Sequence, residues 1–150
     1  MNIQYIHENT PLGTAGCISL IEDDAGPMIV INGDILTNVD FTALLQYHNL
    51  MNAAATMATQ EHVISNPYGV VKTDGVTIVG LEEKPKWKTN VNAGIYVIEL
   101  QHKHLIKPNK MLDMPDFFSC LIENELRTVI YPLPQKVIEI GSPETYHEHA

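Results

Sequence analysis

The chain has 150 residues, with nine Lys and Arg against eighteen Asp and Glu, and a formal net charge of −9. This acidic balance excludes the cationic footprint that nucleic acid binding needs, so we expect no nucleic acid partner. No apolar stretch approaches the ~20 residues that cross a bilayer, and the N-terminus lacks the features of a signal peptide. We therefore expect no membrane association and a cytoplasmic location. Hydrophobic residues make up 45% of the chain, enough for the packed core of one domain.

Hydrophobic periodicity and turn residues predict an alternation of strands and helices, which is typical of an α/β fold. In chain order the predicted elements are a strand at 3–7, a helix at 14–21, a strand at 28–31, a helix from 41 to 49–52, strands at 53–59, 70–71, 76–81 and 93–100, a helix from 114, strands at 128–133 and 136–140, and a helix from 142. Segment 53–59 also suits a continuation of the helix before it, and its spacing favours the strand.

Polar residues set several of these boundaries. Asp40, Asp113 and Ser142 stand where a helix needs an N-cap, because their side-chain oxygens can accept hydrogen bonds from the first free backbone amides. The pair Asp74-Gly75 is typical of a hairpin turn between two short apolar segments. That hairpin would deliver segment 82–85 to its far end.

Asp34 follows the apolar segment 27–31 through Asn32 and Gly33. A run of β-type residues without polar alternation is typical of a strand covered on both faces, and such strands belong mainly to parallel sheets. Ligands of those sheets bind beyond the carboxyl ends of the strands. Asp34 is therefore a candidate for holding a cation or a hydroxyl group, although a Gly-Asp step is as common in ordinary turns.

An acidic chain could bind a phosphorylated small molecule only with a divalent metal, backbone amides or a few placed lysines. Lys84, Lys86 and Lys88 form the only dense lysine cluster in the sequence. Taken alone, the cluster favours a solvated loop over a binding site. Its meaning depends on the motifs around it.

Five motifs occur in one order along the chain. They are PLGTAG at 11–16, VINGDIL at 30–36, EEKP at 82–85, VNAGIY at 91–96 and IEIGSPETY at 138–146. With these motifs the chain resembles the sugar-phosphate nucleotidyltransferases, also called NDP-sugar pyrophosphorylases, from the second third of their catalytic domain nearly to its end. Segments 32–41 and 113–118 are most similar to guanylyltransferase members of the mannose-1-phosphate type.

The resemblance implies a Rossmann-like α/β fold of the glycosyltransferase-A type, with a mixed sheet flanked by helices, and a partial nucleotidyltransferase domain over residues 1–150. It also implies a reaction in which a sugar 1-phosphate attacks the α-phosphorus of a nucleoside triphosphate and releases pyrophosphate and an NDP-sugar. Mg²⁺ is the implied cofactor, since this chemistry rests on charge neutralisation and alignment.

The implied metal ligands are Asp34 and Glu139, with Asp34 and Lys84 as the catalytic residues. Glu139 stands where the family usually has an aspartate, so its carboxylate lies one methylene further out. Mg²⁺ has a strict octahedral preference, and the change puts full activity in doubt without excluding metal binding.

The resemblance also assigns substrate contacts. The implied nucleotide-binding residues are Leu12, Gly13, Thr14, Gly16 and Gly33. The implied sugar-phosphate-binding residues are Gly69, Glu83, Lys84 and Asn92. For the segment at 12–16 the alternative is a glycine-containing turn that only caps a helix.

The glycine-rich, arginine-containing loop that grips the triphosphate in the family has no counterpart in this sequence, in which Arg127 is the only arginine. We therefore expect an N-terminally truncated domain that is inactive on its own and leaves an apolar sheet edge bare, which a second copy or a partner chain would cover. The alternative is a noncatalytic descendant that binds a nucleotide-sugar or serves as a regulatory subunit. A generic α/β domain without a ligand is the third hypothesis.

Overall fold

A computed structural model describes residues 3–22, 26–134 and 137–140, apart from the side chain of Glu139. The α-helices are α1 (Gly13–Gly16), α2 (Phe41–Met51) and α3 (Met114–Glu123), and 3₁₀ helices span Cys17–Leu20 and Leu100–Leu105. The strands are β1 (Pro27–Ile31), β2 (Ile35–Leu36), β3 (Ala55–Ser65), β4 (Val70–Asp74), β5 (Thr77–Glu82), β6 (Lys86–Glu99), β7 (Thr128–Pro132) and β8 (Ile138–Glu139). Within this described part, no helix is long and apolar enough to cross a membrane.

Four strands form the main sheet, in the order β1-β6-β3-β7. The pairs β1 with β6 and β3 with β6 are antiparallel, whereas β3 with β7 is parallel, so the sheet is mixed as predicted. Two further pairs stand apart as ribbons, β2 with β8 and β4 with β5.

The core lies on both faces of strand β6. Tyr96 and Ile98 belong to a buried cluster with residues of α1 and α3, while Ile95 and Val97 belong to a second cluster with Leu44 of α2. Successive residues of a strand point to opposite faces, so a strand covered by helices on both sides must be apolar throughout. This explains the unbroken apolar run that predicted the strand at 93–100.

Helix α2 begins and ends where the sequence predicts. The Asp40 carboxylate accepts hydrogen bonds from the amides of Thr42 and Ala43 at 2.9 and 3.0 Å, which satisfies two of the free donors of the first turn. Asn52 closes the helix in a left-handed conformation at φ 48°. The fully buried His48 ties the helix to the sheet through a 2.8 Å contact between its Nδ1 and Thr56 Oγ1.

Two predictions about strands are wrong. Residues 3–7 have no strand pairing in the described structure, and Tyr5 is 91% exposed, so their apolar pattern has no partner to pack against. Strand β1 is neither parallel nor fully buried, because it lies at the sheet edge, antiparallel to β6. Its run is apolar because Met28 and Val30 pack on one core cluster and Ile29 on the other.

The hairpin prediction is confirmed, with a shift in the turn. Asp74 pairs with Thr77, so the two loop residues are Gly75, at φ 56°, and Val76. The strand predicted at 136–140 is observed as β8, although position 136 lies outside the described residues. The helix predicted from Ser142 also lies outside them.

Strands β3 and β6 both run further than predicted. Their outer halves, 61–65 and 86–90, pair with each other and carry exposed residues, with an ion pair of 3.0 Å between Lys88 and Glu61. We call this two-stranded extension the arm. Neither face of the arm is buried, so its sequence shows no hydrophobic alternation that would have predicted it.

Candidate functional site

A β-bulge interrupts strand β6 at the end of the arm. Met57 pairs with Tyr96 and Thr59 with Asn92, so the three residues 93–95 of β6 lie opposite Ala58 alone. Gly94 has φ +69°, a conformation that glycine adopts without strain. Bulges bend a strand and redirect side chains, and they are frequent next to active sites.

The turn after β1 lies on this bulge. The Asn32 amide donates to the Gly94 carbonyl at 2.9 Å, and a Cβ added to Gly94 would lie 2.9 Å from Asn32 Nδ2 and 3.1 Å from Ile35 Cδ1. Glycine at 94 therefore suits the positive φ and leaves room for the Asn32 and Ile35 side chains against the bulge. Turn and bulge enclose a pocket of about 220 Å³, lined by Asn32, Ile35, Gln60, Asn92, Ala93, Gly94 and Val137.

Asp34 sits beside this pocket, immediately before strand β2 of the β2–β8 ribbon. Its backbone carbonyl accepts a 2.8 Å hydrogen bond from the Ile140 amide, and the next residue, Ile35, pairs with Glu139. The backbone thus brings the two predicted metal ligands from distant parts of the sequence onto one ribbon. The Asp34 side chain is half-buried, and no described residue hydrogen-bonds or ion-pairs with its carboxylate.

Asn92 is held by its own strand. Its Nδ2 donates to Tyr96 Oη at 2.7 Å, and its Oδ1 accepts from the Gly94 amide at 3.0 Å. Burial raises the pKa of the Tyr96 hydroxyl, and the hydrogen bond from Asn92 opposes that rise. The second Nδ2 proton of Asn92 is left for a ligand, since an amide has two donors.

Thr59 adds an unsatisfied polar atom near Asn92. It is 3% exposed, and its hydroxyl oxygen is buried without a hydrogen-bond partner among the described residues. A buried hydroxyl without a partner is uncommon in native structures and calls for a physical cause. Thr59 pairs directly with Asn92 across β3 and β6, so this atom lies at the bulge.

The predicted sugar-phosphate residues fall into two groups. Gly69 and Glu83 lie together, because a Cβ added to Gly69 would be 3.0 Å from Glu83 Oε2, and Lys84 follows at the same bend. Asn92 lies at the other end of the arm. Six steps of extended strand lead from Lys86 to Asn92, a distance of roughly 20 Å at about 3.3 Å per step. Asn92 thus lies along the strand from the bend that holds the other three residues.

The predicted nucleotide-binding turn packs against the segment before α3. The amides of Ala15 and Gly16 donate to the Leu112 carbonyl at 3.0 and 3.1 Å, and the Leu112 amide donates to the Leu12 carbonyl at 2.9 Å. Leu12 itself is buried. A Cβ on Gly13 would lie 2.6 Å from the Leu112 carbonyl oxygen, so this glycine is needed for packing whatever it binds.

Comparison with known proteins gives these residues a family. The model of the family described as nucleotidyl transferase matches residues 1–150. The chain belongs to the nucleotidyl transferase family. It is 33% identical to a putative mannose-1-phosphate guanyltransferase of Sulfolobus acidocaldarius, over 97% of this chain and 41% of that protein. It is 28% identical to the mannose-1-phosphate guanyltransferase of Saccharomyces cerevisiae, over 97% of this chain and 43% of that protein.

Solved structures agree with the fold. HddC from Yersinia pseudotuberculosis, in a crystal structure with GMP-PN, matches 95% of this chain and 63% of its own at 25% identity and a TM-score of 0.61. A putative glucose-1-phosphate thymidylyltransferase from Bacillus anthracis gives a TM-score of 0.70 at 19% identity, over 97% of this chain and 62% of its own. The predicted nucleotidyltransferase fold is confirmed. The nucleotidyl transferase chain nevertheless spans only about two fifths of these two curated relatives.

Two polar residues of the pocket, Asn32 and Gln60, have no role predicted from the sequence. Asn32 stands inside a motif that was recognised, so its place before Gly33 and Asp34 was a usable signal. Gln60 lies in β3 and belongs to none of the five motifs. Only the pairing of β3 with its neighbours shows that it reaches the pocket.

Lys84 combines a predicted role with backbone strain, since its φ is +43°. A residue other than glycine in this left-handed backbone conformation costs about 1–3 kcal/mol. We expect Lys84→Gly to leave the free energy of unfolding within about 1 kcal/mol of the wild-type value, because relief of strain offsets added flexibility. The same change should weaken binding of a sugar 1-phosphate, measured by calorimetry. Lys86→Gly, at a position without positive φ, is the matched control and should destabilise the strand. Loss of stability in Lys84→Gly would contradict the expectation.

Thr14 has a structural task that can be measured. Its hydroxyl accepts from the Met114 amide at 2.7 Å and so caps α3, while its own amide donates to Asp113 Oδ1 at 3.2 Å. We expect Thr14→Val to lower the free energy of unfolding by about 1 kcal/mol and Thr14→Ser to retain most of it. Urea unfolding without nucleotide measures this, with Thr77→Val on the exposed hairpin as control. An unchanged midpoint in Thr14→Val would show that the cap contributes nothing.

Proposed function

We propose that this chain forms part of a nucleotidyltransferase that transfers a nucleoside monophosphate to a sugar 1-phosphate, with GTP and mannose 1-phosphate as the favoured pair. One observation carries the proposal: the ribbon of β2 and β8 joins Asp34 to the strand of Glu139, where the resemblance requires two metal ligands. The names of the relatives support the guanylyl and mannosyl groups. The GMP-PN bound to HddC supports a nucleotide ligand.

The donor set fits Mg²⁺ with substrate bound. The described residues contain no group of three His, Cys, Asp or Glu that could hold a metal ion. Mg²⁺ does not need such a cage, because it is usually held by one or two carboxylates, water and substrate phosphates. The Asp34 carboxylate has no protein partner in the described structure and is half-buried, so it suits this role. Bound Mg²⁺ would neutralise charge on the phosphates, with Glu139 as the second ligand.

The other residues would bind and orient the substrates. Lys84 would meet the sugar phosphate as a point charge, and Glu83 beside Gly69 would accept hydrogen bonds from sugar hydroxyls. Asn92 would donate its remaining amide proton to the sugar. The turn containing Leu12, Gly13, Thr14 and Gly16 would contact the base and ribose, together with Gly33.

A specific observation favours a second candidate function. The roughly 20 Å along the arm from Lys86 to Asn92 exceeds the length of one hexose phosphate, so the pocket by the bulge can act apart from the bend at Lys84. A chain that binds a nucleotide-sugar only in the pocket by the bulge would not catalyse its formation. It would act as a noncatalytic or regulatory subunit.

Calorimetry and a pyrophosphate assay test both candidates. We expect the 150-residue chain to bind GDP-mannose in a Mg²⁺-dependent manner and to release no pyrophosphate from GTP and mannose 1-phosphate. Pyrophosphate release that Asp34→Asn abolishes would establish catalysis by this chain alone. Absence of binding with and without Mg²⁺ would overturn the proposed function. UDP-glucose and dTDP-glucose in the same titration would show whether the base and sugar are assigned correctly.

The proposal includes a cytoplasmic location, a product used in polysaccharide biosynthesis, and a second copy or partner chain on the edge of β1. Ile31 at the end of that strand is 42% exposed, and an edge strand offers unpaired backbone groups to another chain. Light scattering over a range of concentrations would detect a second copy. A monomer at every concentration would leave only the partner chain.

A further inference from the structure

The side chain of Gln60 forms hydrogen bonds of the kind that a neighbouring strand backbone forms. Its Oε1 accepts a hydrogen bond from the Val137 amide at 3.2 Å, and its Nε2 donates to the Val137 carbonyl at 3.5 Å. A primary amide offers one acceptor and one donor side by side, as the backbone of a neighbouring strand does. Gln60 therefore pairs with Val137 in the way a further residue of a β-ladder would.

This contact continues the pairing of β3 with β7. The backbone pairing of the two strands ends at Thr59 with Pro132, followed by a 2.7 Å hydrogen bond from the Leu133 amide to the Thr59 carbonyl. Gln60 is the next residue of β3, and its side chain hydrogen-bonds to the backbone of Val137. Immediately afterwards the chain enters β8 and pairs with β2.

The ribbon of β2 and β8 has only two residues in each strand, and isolated strand pairs of this kind are marginal in water. Besides its own pairing, it has the 2.8 Å hydrogen bond from the Ile140 amide to the Asp34 carbonyl. Gln60 holds the same segment from the opposite side, at Val137. The segment is thereby fixed at both of its described ends.

We propose that Gln60 is a positioning residue, which sets the distance between Asp34 and the strand of Glu139 by holding Val137. The proposal rests on the metal role given to Asp34 and Glu139 in the proposed function. The Gln60 oxygen and nitrogen each bond Val137, so we expect its effect on a metal to pass through the backbone. Direct contact of Gln60 with a ligand in the pocket is the competing outcome of the test.

The test uses Gln60→Met, which has a similar length and no amide, and Gln60→Glu, which keeps the acceptor for the Val137 amide and loses the donor. Gln46→Met on the exposed face of α2 is the matched control. Amide hydrogen exchange of Val137 and Ile140, without metal, measures how firmly the segment is held. Mn²⁺ titration followed by electron paramagnetic resonance measures the metal site, and calorimetry measures metal-free GDP-mannose binding.

We expect Gln60→Met to speed exchange at Val137 and Ile140 by roughly tenfold and to weaken Mn²⁺ binding by about 10- to 100-fold. Metal-free GDP-mannose affinity should fall by a smaller factor than Mn²⁺ affinity, a combination that general destabilisation would not give. Gln60→Glu should speed exchange less than Gln60→Met does, and its exchange rates serve as the test if Gln60→Met does not fold. Unchanged exchange and Mn²⁺ affinity would overturn the positioning role, as would loss confined to metal-free GDP-mannose binding. A wild-type chain that does not bind Mn²⁺ would overturn the metal role proposed for Asp34 and Glu139, whatever the exchange data show.

Discussion

Replacing Asp34 by Asn is expected to weaken Mg²⁺-dependent binding of GDP-mannose by roughly a hundredfold, the upper end of what loss of a metal-orienting group costs. The change keeps the shape of the side chain and removes its charge, which is what a hard cation needs. The backbone carbonyl of Asp34 still accepts from Ile140, so the ribbon should remain. Calorimetry with and without Mg²⁺ separates the metal-dependent part of the affinity from the rest.

Asp74→Asn provides the control for charge alone. Asp74 is an exposed aspartate at the tip of the β4–β5 hairpin, so the same substitution there changes net charge without touching the ribbon. It should leave the affinity unchanged at physiological ionic strength, where distant surface charges are screened. If both variants lose affinity equally, Asp34 acts only through the net charge of the chain and is not a metal ligand.

Gly94→Ala should be the most destabilising single change near the site. A left-handed φ costs a residue with Cβ about 1–2 kcal/mol, and overpacking costs roughly 1–3 kcal/mol. The new Cβ would stand 2.9 Å from Asn32 Nδ2 and 3.1 Å from Ile35 Cδ1, so these two side chains beside Asp34 would have to shift. We expect a loss of roughly 2–4 kcal/mol in the free energy of unfolding, measured with urea, and weaker Mn²⁺ binding in the folded fraction.

Gly75→Ala separates strain from crowding. Gly75 also has a positive φ, at 56°, but a Cβ there would meet nothing within 4 Å. Its loss should therefore be limited to backbone strain, about 1–2 kcal/mol, with Mn²⁺ binding unchanged. Equal losses in the two variants would mean that the close approach of Asn32 to the bulge contributes nothing to stability.

Local chemistry in the sequence was enough to predict most elements of the fold. Asp40 caps α2 because its carboxylate reaches two amides within its own turn, and this depends only on neighbouring residues. Strand β6 was recognised because its inner half is buried on both faces. The strand at 3–7 was wrong because periodicity indicates a strand that has a partner, and sequence alone does not supply one.

The candidate site was predictable only in part. The motifs singled out Asp34 and Glu139, and the structure shows that Ile35, next to Asp34, pairs with Glu139 and that Gly69 lies beside Glu83. They could not show that Thr14 caps α3, since that contact joins residues far apart in the chain. The contacts of Gln60 could not be predicted for the same reason, because they join it to Val137, far away in the sequence and beyond the end of β7. Whether these residues bind the substrates stays a prediction.

The number of extra residues in the β6 bulge determines which face each β6 side chain of the arm occupies. Residues 93–95 stand opposite one residue of β3, so β6 contains two more residues than its neighbour at that point. Two is the repeat of a strand, and both halves of β6 therefore keep the same alternation of faces. Removal of one residue from the bulge would leave an odd surplus and turn every side chain of the arm to the opposite face. Natural length changes at this point should therefore come in pairs.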